Sequence, residues 1–268
     1  MKSRFSGRRC GGHSDMDPTA QEFHSQCMAW SPWSGRRPAE PEAARNLGEP
    51  RRPALWVTFE EAQAVLELDA ARGTIARAWR TGQEVSHMLV RTPDETRLYV
   101  ANIRSGSVTI IDRRTDAVRT VATGAGAEGI DVTPDGAEVW VTNRAANTVS
   151  VIATATDSVV AAFEGGGEMP IRVKFTPDGR EAWVSNARAD ALSVIDVRER
   201  RRMTTIPVGA VPIGIQMSPK GDRVFVANTN DDHITVPDRA KRRVLGTFTT
   251  GREPDGMAWA VAPGREPR

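Results

Sequence analysis

Charged and amide side chains recur at matching places in a pattern that the chain repeats about every 42 residues. When the repeats are aligned, the candidates for binding chemistry lie at or just after the start of each copy: His87, Glu128, Asp131, Arg172, Lys174, Gln216 and Asp255. Acidic groups on one wall and cationic groups on the other would suit a small anionic or zwitterionic ligand. The alternative is that these side chains are solvated or pair with one another. Loops on the same side add Arg104, Arg144, Arg188, Asp190, Asp231, Asp232 and His233.

A metal centre is a weaker interpretation of the same residues. Glu128, Asp131 and Asp255 could offer oxygen ligands to Ca²⁺, but nothing in their spacing demands it. The repeats contain only two histidines, His87 and His233, too few for a histidine-rich transition-metal site. Gly-x-Ser-x-Gly, phosphate-binding glycine-rich and HExxH motifs are absent from the sequence. We therefore predict no metal, no cofactor and no catalytic residue.

Basic residues cluster in a second set of loops. The members are Arg113, Arg114, Arg198, Arg200, Arg201, Arg202, Lys241, Arg242 and Arg243. Three repeats would present them on the side opposite the candidate ligand site, although the net charge of the chain is only +2. Such a surface could bind a phosphate backbone with salt-dependent affinity, but no exposed aromatic residues are interleaved to stack on bases. The alternative is a solvated basic surface.

The elements that position these residues are short strands that end in asparagine. The words LYVAN, VWVTN, AWVSN and VFVAN end at Asn102, Asn143, Asn186 and Asn228, which are 41, 43 and 42 residues apart. A degenerate copy, LWVTF, ends at Phe59, 43 residues before the first asparagine. A fixed period in this range indicates stacked units of supersecondary structure.

Each repeat predicts four strands. In the third copy, alternating residues 129–133 lead into the turn Pro134-Asp135-Gly136, and three further strand-like segments follow. Four short strands in about 40–45 residues are typical of a β-propeller blade. We interpret the asparagines and turn prolines as scaffold, and the aromatic residues of the second strands as packing between blades.

The first copy begins at its second strand, and the chain ends with a first strand that no blade follows. We expect residues 257–260 to pair beside residues 56–58 and so close a ring of five four-stranded blades. Closure would remove open sheet edges.

Residues 55–260 resemble the YVTN-type β-propeller repeat family, which includes YncE-like and surface-layer-related proteins. The resemblance lies in Val141-Thr142-Asn143, Val226-Ala227-Asn228, SVIDV at 193–197 and GAVPIGI at 209–215. It implies an all-β propeller, commonly of seven blades, so five copies are a departure. Members are usually exported, and some resemble cofactor-associated subunits or nucleic-acid binders. The fold itself hosts many functions.

The remaining segments differ from the repeats in composition. We predict a disordered tail over residues 1–54, a propeller over 55–262 and a short tail over 263–268. Cys10 and Cys27 lie in the first tail and do not form a metal motif with its histidines. Neither a signal-peptide apolar region nor a transmembrane span is visible, and the sequence does not predict a compartment.

These observations favour a non-enzymatic binding or interaction scaffold, with a protein or a small anionic ligand as its partner. The alternative is an enzyme or enzyme subunit. A lactonase-like hydrolase would need Glu128, Asp131 and Asp255 to converge on a cation, and a haem d1-like domain would need His87 as an axial ligand. Nucleic-acid binding through the arginine-rich loops is a third hypothesis.

Overall fold

The computed structural model describes residues 54–259, in which strands are joined by turns and short loops. One 3₁₀ turn, Thr229–Asp231, interrupts the strands of this described part. The predicted all-β class is therefore confirmed.

The nineteen strands of the described part form five antiparallel sheets, which we number as blades in chain order. The first blade has three strands: β1 (Ala54–Phe59), β2 (Ala64–Asp69) and β3 (Thr74–Arg80). The second has β4 (Ser86–Arg91), β5 (Arg97–Asn102), β6 (Ser107–Asp112) and β7 (Val118–Ala122). The third has β8 (Ala127–Val132), β9 (Glu138–Asn143), β10 (Thr148–Ala153) and β11 (Ser158–Glu164). The fourth has β12 (Pro170–Phe175), β13 (Glu181–Asn186), β14 (Ala191–Asp196) and β15 (Arg201–Pro207). The fifth has β16 (Pro212–Met217), β17 (Val224–Asn228), β18 (His233–Asp238) and β19 (Arg243–Thr249).

The turns between the first and second strands of blades two to five form as their sequence predicts. In the third blade, the Thr133 hydroxyl donates to the Asp135 carboxylate at 2.6 Å, and Gly136 takes a positive φ of 75°. Thr176 and Asp178 repeat the bond at 2.6 Å one blade later. These bonds hold the chain reversal that the proline initiates.

Apolar side chains bury the faces between neighbouring blades. Four clusters of buried residues lie between blades one and two, two and three, three and four, and four and five. Tyr99, Trp140 and Trp183 occupy the same place on the second strand and are fully buried. Their predicted packing role is confirmed, and Phe225 in the fifth blade is only half-buried.

The asparagines that end the second strands are buried scaffold residues, as predicted. Each side-chain amide donates to a hydroxyl seven residues later on the third strand. The pairs are Asn102 with Thr109 (3.0 Å), Asn143 with Ser150 (2.9 Å), Asn186 with Ser193 (2.9 Å) and Asn228 with Thr235 (2.7 Å). The asparagine therefore joins the second and third strands of one blade.

The prediction that a closing strand pairs with the first blade is wrong. Within residues 54–259, β1 pairs only with β2, and residues 251–259 form no strand. The indole ring of Trp259 instead lies 5.9 Å from the ring of Phe225. Contacts with the fifth blade thus hold the end of the described chain. Among the described residues the first blade has three strands, and nothing pairs with the inner edge of β1.

The predicted tails, with Cys10 and Cys27, lie outside the described residues, apart from Ala54, which begins β1. No helix among the described residues has the length and apolar character needed to cross a membrane.

Candidate ligand site at the inner strands

The first strands of blades two to five lie in matching registers. Ser86, Ala127, Pro170 and Pro212 each pair with the asparagine that ends the second strand of the same blade. His87, Glu128, Ile171 and Ile213, one residue later, therefore occupy equivalent positions. The sequence alignment predicted this equivalence.

A repeated backbone geometry sets the start of each inner strand. The residue before it has a positive φ, at Val85, Gly126, Met169 and Val211. In two blades the backbone amide of this residue donates to a side-chain oxygen in a loop of the preceding blade. Met169 donates to Asn147 and Val211 donates to Asp190, both at 2.9 Å.

The same geometry recurs after the fifth blade. Glu253 has a φ of 53°, and its amide donates to Asp232 at 2.8 Å. Asp255 is consequently held where the next inner strand would begin. A Cβ added to Gly214 would meet the Asp255 carbonyl at 1.9 Å, just as one added to Gly129 would meet the Ile171 carbonyl at 2.0 Å.

Arg172 lies at the centre of the candidate site. Its side chain is only 13% exposed, and its guanidinium donates to the Asp255 carboxylate at 3.1 Å. The same group contacts the Met88 sulfur, which belongs to the second blade. At equivalent positions, blades three and five carry Gly129 and Gly214, where the absence of a side chain lets the neighbouring backbone approach closely. Arg172 thus extends from the fourth blade to the second blade and to the segment that follows β19.

Asp131 and Lys174 form an ion pair between neighbouring inner strands. The ammonium lies 3.3 Å from the carboxylate, and the Phe175 amide donates to the other carboxylate oxygen at 3.1 Å. Burial raises the pKa of Asp131 above its usual value, and the charge of Lys174 opposes that rise. The predicted acidic and cationic residues are therefore adjacent across one blade boundary, where we had placed them on opposite walls.

The remaining candidates are spread around the inner strands. Glu128 forms an ion pair with Arg144, with 2.8 Å between the guanidinium nitrogen and the carboxylate oxygen. His87 is bonded to Glu60 of the first blade through its Nδ1 atom. Gln216 is half-buried at the position equivalent to Asp131 and Lys174. Among residues 54–259, no three histidine, cysteine or acidic side chains are grouped to hold a metal ion. The cation site of the lactonase-like hypothesis is therefore not formed, since its three carboxylates do not converge.

Several of the basic loop residues contact carboxylates of the preceding blade. Arg113 pairs with Glu67 at 3.0 Å and Arg200 with Glu138 at 2.7 Å. Arg242 binds Glu181, which also accepts from Arg239 at 3.0 Å. These arginines join blades, and a nucleic-acid phosphate would have to displace a buried or half-buried carboxylate to reach them.

The other members of the basic set are exposed. Arg114, Arg198 and Lys241 lie 3.4 to 3.9 Å from acidic neighbours within their own loops. Arg202 donates to the Gly166 carbonyl. Arg201 and Arg243 are exposed at the starts of β15 and β19.

Sequence reasoning missed the carboxylates that neutralise the arginines, although a local signal exists. Glu138 and Glu181 each stand two residues before a tryptophan, on the same side of the strand. The indole Nε1 of Trp140 donates to Glu138 at 2.8 Å, and that of Trp183 donates to Glu181 at 3.1 Å. An acidic residue two positions before the buried aromatic therefore marks a carboxylate that faces the next blade.

The repeated four-stranded sheets and their aligned inner strands define a β-propeller. Residues 116–219 match the model of the YNCE-like beta-propeller family, which confirms the resemblance over the central blades. No protein of curated function matches the chain in sequence.

Two solved structures illustrate the similarity. A chain of Kuenenia stuttgartiensis hydrazine synthase is 27% identical over 61% of this chain, with a TM-score of 0.57. The matched region spans 48% of that chain, less than half of its length. A functionally unknown protein from Desulfotomaculum acetoxidans DSM 771 is 12% identical, with a TM-score of 0.65. That match covers 75% of this chain and 67% of the other chain. The second similarity shows the fold alone.

Proposed function

We propose that this protein is a non-enzymatic propeller that binds a small anionic ligand at the inner strands, with Arg172 as the principal contact. The supporting observation is a largely buried guanidinium whose carboxylate partner, Asp255, is itself 54% exposed. A guanidinium offers planar, bidentate recognition of carboxylate, phosphate or sulfate groups.

Asp255 can be exchanged for a ligand at low cost. It lies in the segment after β19, where the neighbouring residues Glu253 and Pro254 are hydrogen-bonded to the fifth blade. Ion pairs with an exposed partner contribute little to stability, about 0–1 kcal/mol. An anion that displaces Asp255 would therefore gain the Arg172 contact without breaking a buried pair, and Asp131 would keep Lys174.

The experiment is a thermal-shift titration of the full chain with inorganic phosphate, sulfate and a short dicarboxylate. A ligand that binds the native state raises the melting temperature by mass action, equivalent to about 2.7 kcal/mol at one hundred times its Kd. Arg172→Met should abolish the shift, because it removes the guanidinium. The fold should tolerate this change, because methionine already occupies the equivalent position in the second blade. Arg104→Met is the matched control, since Arg104 is an exposed cation in the loop between β5 and β6.

We expect the control to keep the shift of the wild type. Equal shifts in all three proteins would mean binding elsewhere. The absence of any shift with all three anions would refute the proposed ligand class.

A subunit role in an enzyme complex is the second candidate, and the similarity to a hydrazine synthase chain favours it. In this alternative the propeller contributes an interaction surface while another polypeptide carries the chemistry. Purification from native cells would then yield a stable complex with a second, different polypeptide. Recovery of this chain alone under gentle conditions would argue against it.

A further inference from the structure

The first blade leaves an apolar face uncovered. Leu55 is 57% exposed. The residues at the same place on the second strands of the other blades are fully buried: Leu98, Val139, Ala182 and Val224. Trp56 and Val65 point to the second blade, so their neighbours along the strands point the other way. Leu55, Val57 and Phe59 of β1 and Leu66 and Leu68 of β2 make up this face, which we call the first-blade face.

The first-blade face is more apolar than its counterparts. Phe59 stands where the other blades have the asparagine that ends the second strand. Leu66, opposite Val57, stands where they have the serine or threonine that accepts from that asparagine. Both members of a polar pair are thus replaced by apolar residues, of which Phe59 is 42% exposed and Leu66 is half-buried. A contiguous exposed apolar surface of this kind marks an interaction site.

The fifth blade exposes the complementary surface at the other end. Phe248 is 49% exposed, although it pairs with Ile234 just as Ile206 pairs with Leu192, and Ile206 is buried. Phe225 is half-buried where the aromatic residues of blades two to four are fully buried. We call Phe225, Ile234, Val236 and Phe248 the last-blade face; Phe248 is its exposed member, Ile234 is buried, and Trp259 lies against Phe225.

Each blade boundary within the chain packs a face of the last-blade type against a face of the first-blade type. Trp140, Val149 and Val151 of the third blade, for example, pack on Ala182 and Val184 of the fourth. Leu55 and Phe59 at one end and Phe248 at the other remain exposed, so the two end faces do not cover each other within the described part of one molecule. We propose that a second copy of this chain docks head to tail, its last-blade face on the first-blade face of its neighbour.

The proposed contact differs from the internal boundaries in its charges. At the internal boundaries Glu138 and Glu181 reach Arg200 and Arg242 of the following blade. At the two ends the equivalent positions are Arg223 and Gly73, which form no such pair. The contact is consequently apolar, and we expect it to persist at high salt, because salt screens charges and not apolar burial. It is also heterologous, so each copy has one free end of each kind.

The test uses the full chain and two end-blocking variants. Leu55→Glu places a charge on the first-blade face, and Phe248→Glu places one on the last-blade face. Val160→Glu is the control, because Val160 is also 49% exposed but lies on the outer strand β11 of the third blade. Molar mass is measured by light scattering after size exclusion across a wide concentration range, and cooperative melting verifies that each variant folds.

The wild type and Val160→Glu should associate as concentration rises, while each end-blocked variant stays monomeric. A mixture of Leu55→Glu and Phe248→Glu should give a one-to-one dimer that grows no further, because one intact face of each kind remains. If a glutamate variant fails to melt cooperatively, serine at the same position replaces it.

Three results would overturn the proposal. The first is a wild type that stays monomeric at all concentrations, whether the faces remain open or chain outside residues 54–259 covers them. The second is association that only Leu55→Glu abolishes, which would mean that two first-blade faces pack together. The third is a mixture of the two variants that stays monomeric.

Discussion

Replacement of Glu181 by glutamine would test the ion pairs that join the fourth and fifth blades. The carboxylate accepts from Arg242, from Arg239 Nε at 3.0 Å and from the Trp183 indole at 3.1 Å. Glu181 is buried, and both arginines are partly exposed. The substitution removes the charge but keeps the shape and one acceptor oxygen.

The expected cost can be bounded from this geometry. Removal of one partner from a fully buried ion pair costs about 3–5 kcal/mol. Here solvent screens the two arginines in part, and Arg239 keeps a second carboxylate, Asp178, at 2.7 Å. We therefore expect Glu181→Gln to lower the free energy of unfolding by about 1–3 kcal/mol. For a domain of 150–250 residues this corresponds to a melting temperature lower by about 2–12 °C.

The pH dependence provides a second readout with a defined sign. Burial alone would raise the pKa of Glu181, but the hydrogen bonds from Arg242, Trp183 and Arg239 outweigh it and hold the pKa below its usual value. A lowered pKa in the folded state means that the stabilisation is present above the unfolded value of about 4.3. It is lost as the pH falls through the folded pKa. Glu181→Gln should therefore remove part of the acid sensitivity of the wild type.

The assay is urea unfolding at neutral pH and at steps down into the acid range. Glu199→Gln is the control, because Glu199 is an exposed carboxylate that lies 3.8 Å from exposed Arg198. Its unfolding free energy should change by less than about 0.5 kcal/mol. If both variants lose the same stability, or if Glu181→Gln unfolds like the wild type, the buried pairs do not hold the blades together.

Two further predictions concern the inner strands. A Cβ at Gly129 would lie 2.0 Å from the Ile171 carbonyl, so Gly129→Ala should destabilise by at least about 1–3 kcal/mol in urea unfolding. Gly246→Ala meets nothing within 4 Å and should be neutral or slightly stabilising, and equal losses in both would contradict the proposed clash. The Thr142 hydroxyl bonds the Ile171 carbonyl and the Gly129 amide, both at 2.9 Å, so Thr142→Val should cost about 1–3 kcal/mol. The exposed control Thr115→Val should change little, and a similar loss there would exclude a specific bridge between blades.

The sequence predicted what is local to one blade. Strand order, the turn at Pro134 and the buried place of Trp140 all follow from patterns within a few residues. Closure of the ring did not follow, because it depends on the angles that add up across four blade boundaries. No single repeat determines the sum of these angles. The end of the described chain lies against the fifth blade, where the Trp259 ring contacts the Phe225 ring.

The candidate site was predictable in position and not in pairing. Register placed Asp131 and Lys174 at equivalent inner positions, but their ion pair depends on how closely neighbouring strands approach. The arginine loops were misleading for a related reason, since their partners lie in the preceding blade. Glu138 is 62 residues from Arg200 in the chain, and only the fold brings them together.

The bond between each terminal asparagine and its hydroxyl partner has a consequence for rearrangement of the chain. The two residues are seven positions apart within one unit, so a duplicated or transplanted unit contains both members of the hydrogen-bonded pair. The first unit has neither member of this pair, since Phe59 and Leu66 occupy the two positions. Exchange of only one half between units would leave a buried amide or hydroxyl without its mate, so hybrids should tolerate a cut outside this span better than one within it.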